Sequence, residues 1–465
     1  MSNVYKLFRV TRVGPDSCID PQEQVAFYDP GLGTASDEGS VPVAALQSVR
    51  KMLSSALGIG ISRNITDCYE AILQHYEPGD RIYLFGFSRG AYTARCVAGV
   101  LNLCGVPTSG PNGSALPRRG PNCRAIAEEA VTRVYEHGAG RDRAQFEAER
   151  EEQGRRFRGK YDSDLNGKAN VVPYFIGVFD TVASLGAAGA RKWFLRVGLA
   201  VTIAATAFAT AGLVAFATGA SFGWTVASVF ALMSIITITL SLRSSLRIIR
   251  DFPEKGQLKW HLATWQSGFY DKYLDPRVRF GRHALSIDET RSDFARVPWG
   301  LKNTKQDRIE GEPECFRQIW FAGNHSDIGG SYPEDESRLS DISLQWMLEQ
   351  TQELPHSIFV DKSKLNLFPY ANGMQHCEVK SMLDGFPRWW PKGLRFTWSE
   401  HPRSEARGAP LHQSVHERFK FDSVLQHSEV GPYRPQTLRE DATVISFYAE
   451  AVPVLAETGV ASRVD

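Results

Sequence analysis

Apolar runs and helically spaced segments alternate through the first part of the chain. Residues 22–28 (QEQVAFY) read as a strand that ends in the loop 29–34 (DPGLGT), where a proline and two glycines break regular structure. Ile65, Cys68, Tyr69, Ile72, Leu73 and Tyr76 then recur at helical intervals within residues 44–76, and Pro78-Gly79-Asp80 stops that helix. A second apolar run, residues 82–85 (IYLF), is followed by helical spacing over residues 91–100. This β-α-β order predicts a parallel sheet with helices on its faces.

Further along, residues 107–122 are loop-like. Residues 124–136 are amphipathic, and residues 142–159 carry a mixed charge run suited to a solvated helix face. The run 171–179 (VVPYFIGVF) predicts a buried strand leading into Asp180. Residues 282–289 (RHALSIDE) read as helical, 318–321 (QIWF) as a strand, and 339–354 as an amphipathic helix. The last hundred residues show weak periodicity, and no internal repeat is visible.

One stretch breaks this pattern. Between residues 181 and 250 there is no Asp or Glu, and two apolar runs, about 197–218 and 224–242, are separated by five residues. Each is near the roughly 20 residues that cross a bilayer core. Arg191, Lys192 and Arg196 precede them and Arg243, Arg247 and Arg250 follow, which predicts a transmembrane hairpin with both ends on the cytoplasmic side. The chain is thereby divided into 1–187, the first part of one domain, 188–252, an inserted membrane hairpin, and 253–465, the remainder of that domain.

Composition narrows the choices. The 465 residues are 43% hydrophobic, enough for a large core, and a net charge of +1 supplies no general attraction to nucleic acid. Seven cysteines with no C-x-x-C pair read as buried thiols in a reducing compartment; they suggest neither a disulfide framework nor a zinc site, and no cofactor is implied. The first ten residues lack the features of a signal peptide.

The candidate chemistry centres on Ser88 in Gly86-Phe87-Ser88-Arg89-Gly90, between the strand at 82–85 and the helix at 91–100. That order is a nucleophile elbow: the turn lifts the serine hydroxyl clear of the sheet, and Gly86 and Gly90 leave it room. The usual partners follow as an acid and then a histidine, each on a loop after a strand. Asp180 and His325 meet both conditions. The backbone N–H of Arg89 is one oxyanion donor, with residues 31–34 a fallback for the second. Asp327, two residues past His325, suits a loop-shaping role.

Several blocks together resemble the α/β-hydrolase lipases of the first group of type VI secretion phospholipase effectors. They are FYDPGLGT (27–34), YEPGDRIYLFGFSRGAYTAR (76–95), GVFDTVASLG (177–186), RHALSIDETR (282–291), WFAGNHSDIGG (320–330) and LHQSVHERF (411–419). The resemblance implies an α/β-hydrolase-like fold, a mainly parallel sheet with helices on both faces. It places the serine, aspartate and histidine on Ser88, Asp180 and His325. It also implies an apolar strand and an Asp-Gly-Thr loop ahead of NVYKLFRV (3–10), which the sequence does not contain. The expected activity is hydrolysis of phospholipid esters at a membrane by an enzyme held there by the hairpin, as a resident protein or a secreted effector with a secretion or immunity partner. A degenerate, binding-only hydrolase domain and an esterase for small soluble esters are the alternatives.

Overall fold

A computed structural model describes residues 1–31, 59–139, 143–182, 189–219, 221–263, 272–301, 311–387, 389–391, 395 and 397–449. It is a mixed α/β protein built on a parallel sheet. The described helices include α1 (Asn3–Thr11), α2 (Ile59–His75), α3 (Arg89–Cys104), α4 (Gly120–Glu128), α5 (Arg143–Tyr161), α6 (Gly189–Thr218), α7 (Phe222–Ser245), α8 (His325–Gly329) and α9 (Arg338–Gln352). The strands that matter here are β1 (Tyr83–Phe87), β2 (Phe175–Phe179), β3 (Leu246–Arg250), β4 (Leu258–Leu262), β5 (Phe280–Ser286) and β6 (Phe316–Phe321).

The central sheet runs β1-β2-β5-β6, every neighbouring pair parallel. Its register pairs Phe87 with Phe179 and Phe179 with Ala284, so Ser88 and Asp180 leave neighbouring strands at the same edge. The two faces of β2 explain its unbroken apolar run. Phe175 and Phe179 enter the core with Leu7, Val10, Trp346 and Met347, whereas Ile176 and Val178 pack with Ala91, Ala94 and Ala98. A strand buried on both faces has no polar side to alternate.

Several expectations change here. Residues 22–28 form no strand: Val25 and Phe27 are exposed, and no sheet neighbour takes up their backbone. The NVYKLFRV segment is the helix α1, held over the sheet's end by Asn3 Nδ2, which donates to Ile328 O at 2.9 Å and Ser340 O at 2.8 Å. Residues 280–286 form a strand, although RHALSIDE reads as helical. β5 pairs with β2 and β6 and every one of its residues is buried, so both faces are covered, the strand carries no period of two, and its polar members are satisfied individually. Arg282 reaches Gln350 Oε1 at 2.8 Å, and His283 Nδ1 lies 3.1 Å from Gln318 Oε1. Burial, with the Arg95 charge nearby, lowers the His283 pKa to about 3, keeping the ring neutral. The charge run forms α5, but its face is not wholly solvated, because Glu149, Arg150 and Arg158 are buried. Among the cysteines, Cys96, Cys104 and Cys123 are buried, whereas Cys18 is exposed.

The two apolar runs do form helices, α6 and α7, which pack against each other. Among the described residues, however, no helix is long and apolar enough to cross a membrane, so the transmembrane hairpin is not supported. Large apolar side chains still face outward, with Phe216 92% and Trp224 79% exposed.

The chain beyond α9 covers the outer edge of the sheet. Trp320 N–H donates to Pro410 O at 3.0 Å and Trp320 O accepts from His412 N–H at 2.8 Å, adding a bridge alongside β6. Val415, Phe419 and Tyr433 pack there against Leu285 and Trp320.

Candidate active site

β1 ends at Phe87, and the next residue turns sharply into α3. Ser88 has φ 58° and ψ −123°, a left-handed conformation costly for a residue with a Cβ. Its N–H donates to Phe179 O at 3.2 Å, which ties the turn to the end of β2. Gly86 is required by close approach, since a Cβ there would lie 2.3 Å from Gly90 O. Gly90 is different: a Cβ at that position would meet nothing within 4 Å, so the turn does not need its glycine for room.

Asp180 also has positive φ, 38°, and is fully buried at the end of β2. Its N–H donates to Ala284 O at 2.8 Å. His325 opens α8, and its Nδ1 lies 2.6 Å from Asp180 Oδ2. A carboxylate acceptor at Nδ1 selects the tautomer with the proton on Nδ1 and leaves the Nε2 lone pair available. Among the described residues that buried Nε2 has no hydrogen-bond partner. The rings of Phe87 and Phe294 pack on the imidazole at centroid distances of 4.6 and 5.1 Å.

The end of β5 holds both partners. Ser286 N–H donates to Asp180 Oδ1 at 3.2 Å, and Ser286 Oγ donates to Gly323 O at 2.7 Å. Asp288 Oδ2 accepts Gly323 N–H at 2.7 Å, while Glu289 Oε2 accepts His325 N–H at 3.3 Å. The RHALSIDETR block therefore supplies the frame of the histidine loop. Gly329 is packed so tightly beneath Phe87 that a Cβ there would lie 1.9 Å from the ring.

Asp327 closes the loop on itself. Its Oδ2 accepts Asn324 N–H at 3.0 Å, while Asn324 Oδ1 accepts Asp327 N–H at 2.9 Å, a reciprocal cap of α8. On its other side, Asp327 Oδ1 lies 2.7 Å from His376 Nδ1, and His376 Nε2 lies 3.2 Å from Glu336 Oε2.

A residue with no sequence signal completes the arrangement. Arg403 lies 223 residues from Asp180 along the chain, yet Nη1 donates to Oδ1 at 2.5 Å and Nη2 to Oδ2 at 3.1 Å. The same two nitrogens also donate, Nη1 to Ser286 O at 3.2 Å and Nη2 to Phe294 O at 2.8 Å. Burial by itself raises the Asp180 pKa, but the Arg403 charge and the His325 hydrogen bond overcome it and hold the carboxyl well below the usual range. A small cleft lined by Phe294, Arg296 and Arg403 opens beside this pair. A larger cavity, lined by residues including Arg95, Asn102, Asp275 and Trp299, touches none of Ser88, Asp180 and His325. Of the oxyanion candidates, Arg89 is the first residue of α3, while residues 32–34 of the alternative loop lie outside the described residues.

The arrangement is capable of proton transfer at His325 Nε2, with a negative charge fixed behind the ring. Comparison with known proteins gives the chain a family. An uncharacterised protein of Saccharomyces cerevisiae is 33% identical over 112 residues, which is 23% of this chain and 16% of that protein. No solved structure matches. The family model described as T6SS, phospholipase effector Tle1-like, catalytic domain, matches residues 1–221 and 224–350. The chain belongs to this family of Tle1-like phospholipase effector catalytic domains.

Proposed function

We propose that the protein is a serine ester hydrolase of α/β-hydrolase type that cleaves phospholipids with Ser88, His325 and Asp180. Membership of the phospholipase effector family supports lipid as the substrate class and a secreted protein as the carrier of the activity. The observation that carries the mechanism is the Asp180–His325 contact at 2.6 Å, at the sheet edge where Ser88 is held in a strained turn. In this reading Ser88 Oγ attacks the ester carbonyl, and His325 Nε2 takes its proton and returns it to the leaving alcohol. Water then enters by the same route and releases the fatty acid. Asp180 holds Nδ1–H and stabilises the imidazolium as it forms. The Arg89 N–H, at the first turn of α3, supplies one hydrogen bond to the oxyanion.

The outward apolar side chains of α6 and α7, Phe216 and Trp224 foremost, give the protein a surface suited to lying against lipid without crossing it. Bound there, the site meets its substrate at a high local concentration.

Replacing Ser88 with Ala tests the assignment. Hydrolysis of phospholipid vesicles should fall by at least about 10⁴-fold, as expected when a triad nucleophile is removed. Labelling by a fluorophosphonate should vanish with it, while vesicle co-sedimentation should stay at the wild-type level. Turnover that survives the substitution would refute the role of Ser88.

A further inference from the structure

A second group of titratable side chains lies away from Ser88. His137 is in the tight turn Tyr135–Gly138, Glu149 is on α5, and His261 is on β4, the return strand of the hairpin that follows α7. His137 Nε2 is 2.9 Å from Glu149 Oε2, and His261 Nδ1 is 3.8 Å from the same oxygen. One donor atom from each of the three residues falls within 4.8 Å of the others. We propose that His137, Glu149 and His261 form a site for a divalent transition-metal ion of the zinc class, which fastens the base of the α6–α7 pair to the catalytic body.

The donor chemistry fits such an ion. Two imidazoles and one carboxylate are a common zinc set, with the fourth position left to water. Tetrahedral zinc bonded at about 2.0–2.1 Å sets its donors about 3.3–3.5 Å apart, and the distances of 2.9 and 3.8 Å bracket that value. His261 is already arranged as a ligand. Its Nε2 donates to His137 O at 2.5 Å, leaving the Nδ1 lone pair directed to the cluster, and a backbone carbonyl is a usual outer partner for a metal-bound histidine. His137 needs one change, the transfer of its ring proton from Nε2 to Nδ1. No oxidation is involved.

The surroundings restrict movement of the donors. Phe146 stacks on His261 with centroids 3.9 Å apart and an interplanar angle of 19°, and the two imidazoles meet edge to face at 4.7 Å. His137 and Glu149 are buried, while His261 is partly exposed and provides the way in. Lys259 Nζ, 3.7 Å from Glu149 Oε1, competes for the carboxylate from the outer side and leaves Oε2 between the rings. The absence of paired cysteines does not bear on this site, because none of its donors is sulfur. The same hairpin is also held at β3, where Arg247 reaches Glu136 Oε2 at 3.3 Å, so an ion would reinforce an existing attachment.

The test uses the full chain with any affinity tag removed, stripped of metal by a chelator and titrated with Co²⁺. One equivalent should develop the visible absorption of four-coordinate cobalt, zinc should bleach it, and zinc should raise the unfolding temperature. Glu149→Gln keeps the size and a contact to His137 but loses the charge, and His261→Ala removes a donor. Each should weaken cobalt binding on the order of a hundredfold or more, beyond the loss that follows from disturbing an outer partner. Ser88→Ala should bind cobalt as the wild type does, separating this site from the hydrolytic one. A wild-type protein without saturable cobalt uptake, or a folded Glu149→Gln variant that binds as tightly as the wild type, overturns the proposal. If His261→Ala does not fold, the wild-type titration and Glu149→Gln still decide.

Discussion

Two aspartate–histidine pairs meet at one short loop, and of the two only the first leaves its outer imidazole nitrogen open among the described residues. Asp180–His325 and Asp327–His376 have nearly equal lengths, 2.6 and 2.7 Å, and both aspartates are buried. They differ at their outer ends. His325 Nε2 has no partner among the described residues, whereas His376 Nε2 faces Glu336 and the ring lies flat on Tyr332 at 3.5 Å. They differ also behind the carboxylate. Arg403 overrides the effect of burial at Asp180, whereas burial prevails at Asp327 and its pKa is raised despite His376. A histidine–carboxylate distance does not distinguish a base from a brace. On the proposed reading, an open Nε2 and an arginine behind the carboxylate do.

Removing Arg403 should give the largest change, because it turns the first pair into something like the second. In Arg403→Met, burial acts on Asp180 with less opposition and its pKa rises. A buried ion pair that loses one partner typically costs about 3–5 kcal/mol of stability. The sign of the pH dependence follows from the depressed carboxyl. In the wild type its contribution is fully present above the ordinary aspartate value of 3.8 and is lost only as pH falls through its lower folded value. The variant should therefore lose stability, and the acid limb of its kcat profile should move to higher pH, with kcat at pH 7 lower on the order of a hundredfold. Arg403→Lys should recover part of the limb. An acid limb in Arg403→Met that stays where the wild type has it would show that Arg403 does not act through Asp180.

Replacing His376 by Gln probes the bracing pair and should do less. Asp327 would lose a hydrogen bond from a charged or chargeable ring, worth about 1–3 kcal/mol when a buried acceptor is left short. Esterase activity should change less than about tenfold once the protein is folded, since His376 does not contact His325's Nε2 side. His376 has a raised pKa: burial alone would lower it, but Asp327 and Glu336 outweigh that. Its stabilisation is therefore present below the ordinary histidine value and lost as pH rises through the higher folded value. The wild type should lose this increment above pH 6.5, and the variant should not. A collapse of kcat at unchanged fold would mean that the second pair takes part in the chemistry.

How far these pairs could be seen in advance depends on sequence distance. Ser88, Asp180 and His325 follow strands whose apolar runs are short and local, Gly86 lies within the first of them, and the reciprocal cap of Asn324 and Asp327 spans four residues. Such features are written in neighbouring letters. Arg403 is not, because one arginine in a stretch of weak periodicity gains meaning only when the chain past α9 wraps around β6 and returns to β2. The 280–286 strand was hidden for another reason. Burial on both faces removes the alternation that marks a half-exposed strand, and Arg282 and His283 look like solvated residues until Gln350 and Gln318 are placed beside them. The segment 22–28 errs in the opposite direction, its apolar residues suggesting a strand for which the sheet has no place. Gly90 shows the limit of motif reading, since the pattern names it but the turn leaves its side open.

The smallest expected effect concerns Asp288, which belongs to neither pair but holds the loop that carries both. It accepts Gly323 N–H at 2.7 Å and the Tyr433 hydroxyl at 2.8 Å, and burial raises its pKa to about 6. A carboxyl whose folded value lies above its unfolded value of 3.8 binds more protons when folded, so stability falls as pH rises from about 4 to about 6. A rise of this size corresponds to roughly 3 kcal/mol at most, a limit because the loop can relax around the charge. Asp288→Asn keeps an acceptor for Gly323 and removes the titration. Urea unfolding between pH 4 and pH 7 should show a flatter dependence in the variant than in the wild type, with kcat nearly unchanged at pH 7. Parallel curves for the two proteins would place the pH sensitivity elsewhere in the loop, with Asp327, the other buried carboxyl whose pKa is raised there, as the group to replace next.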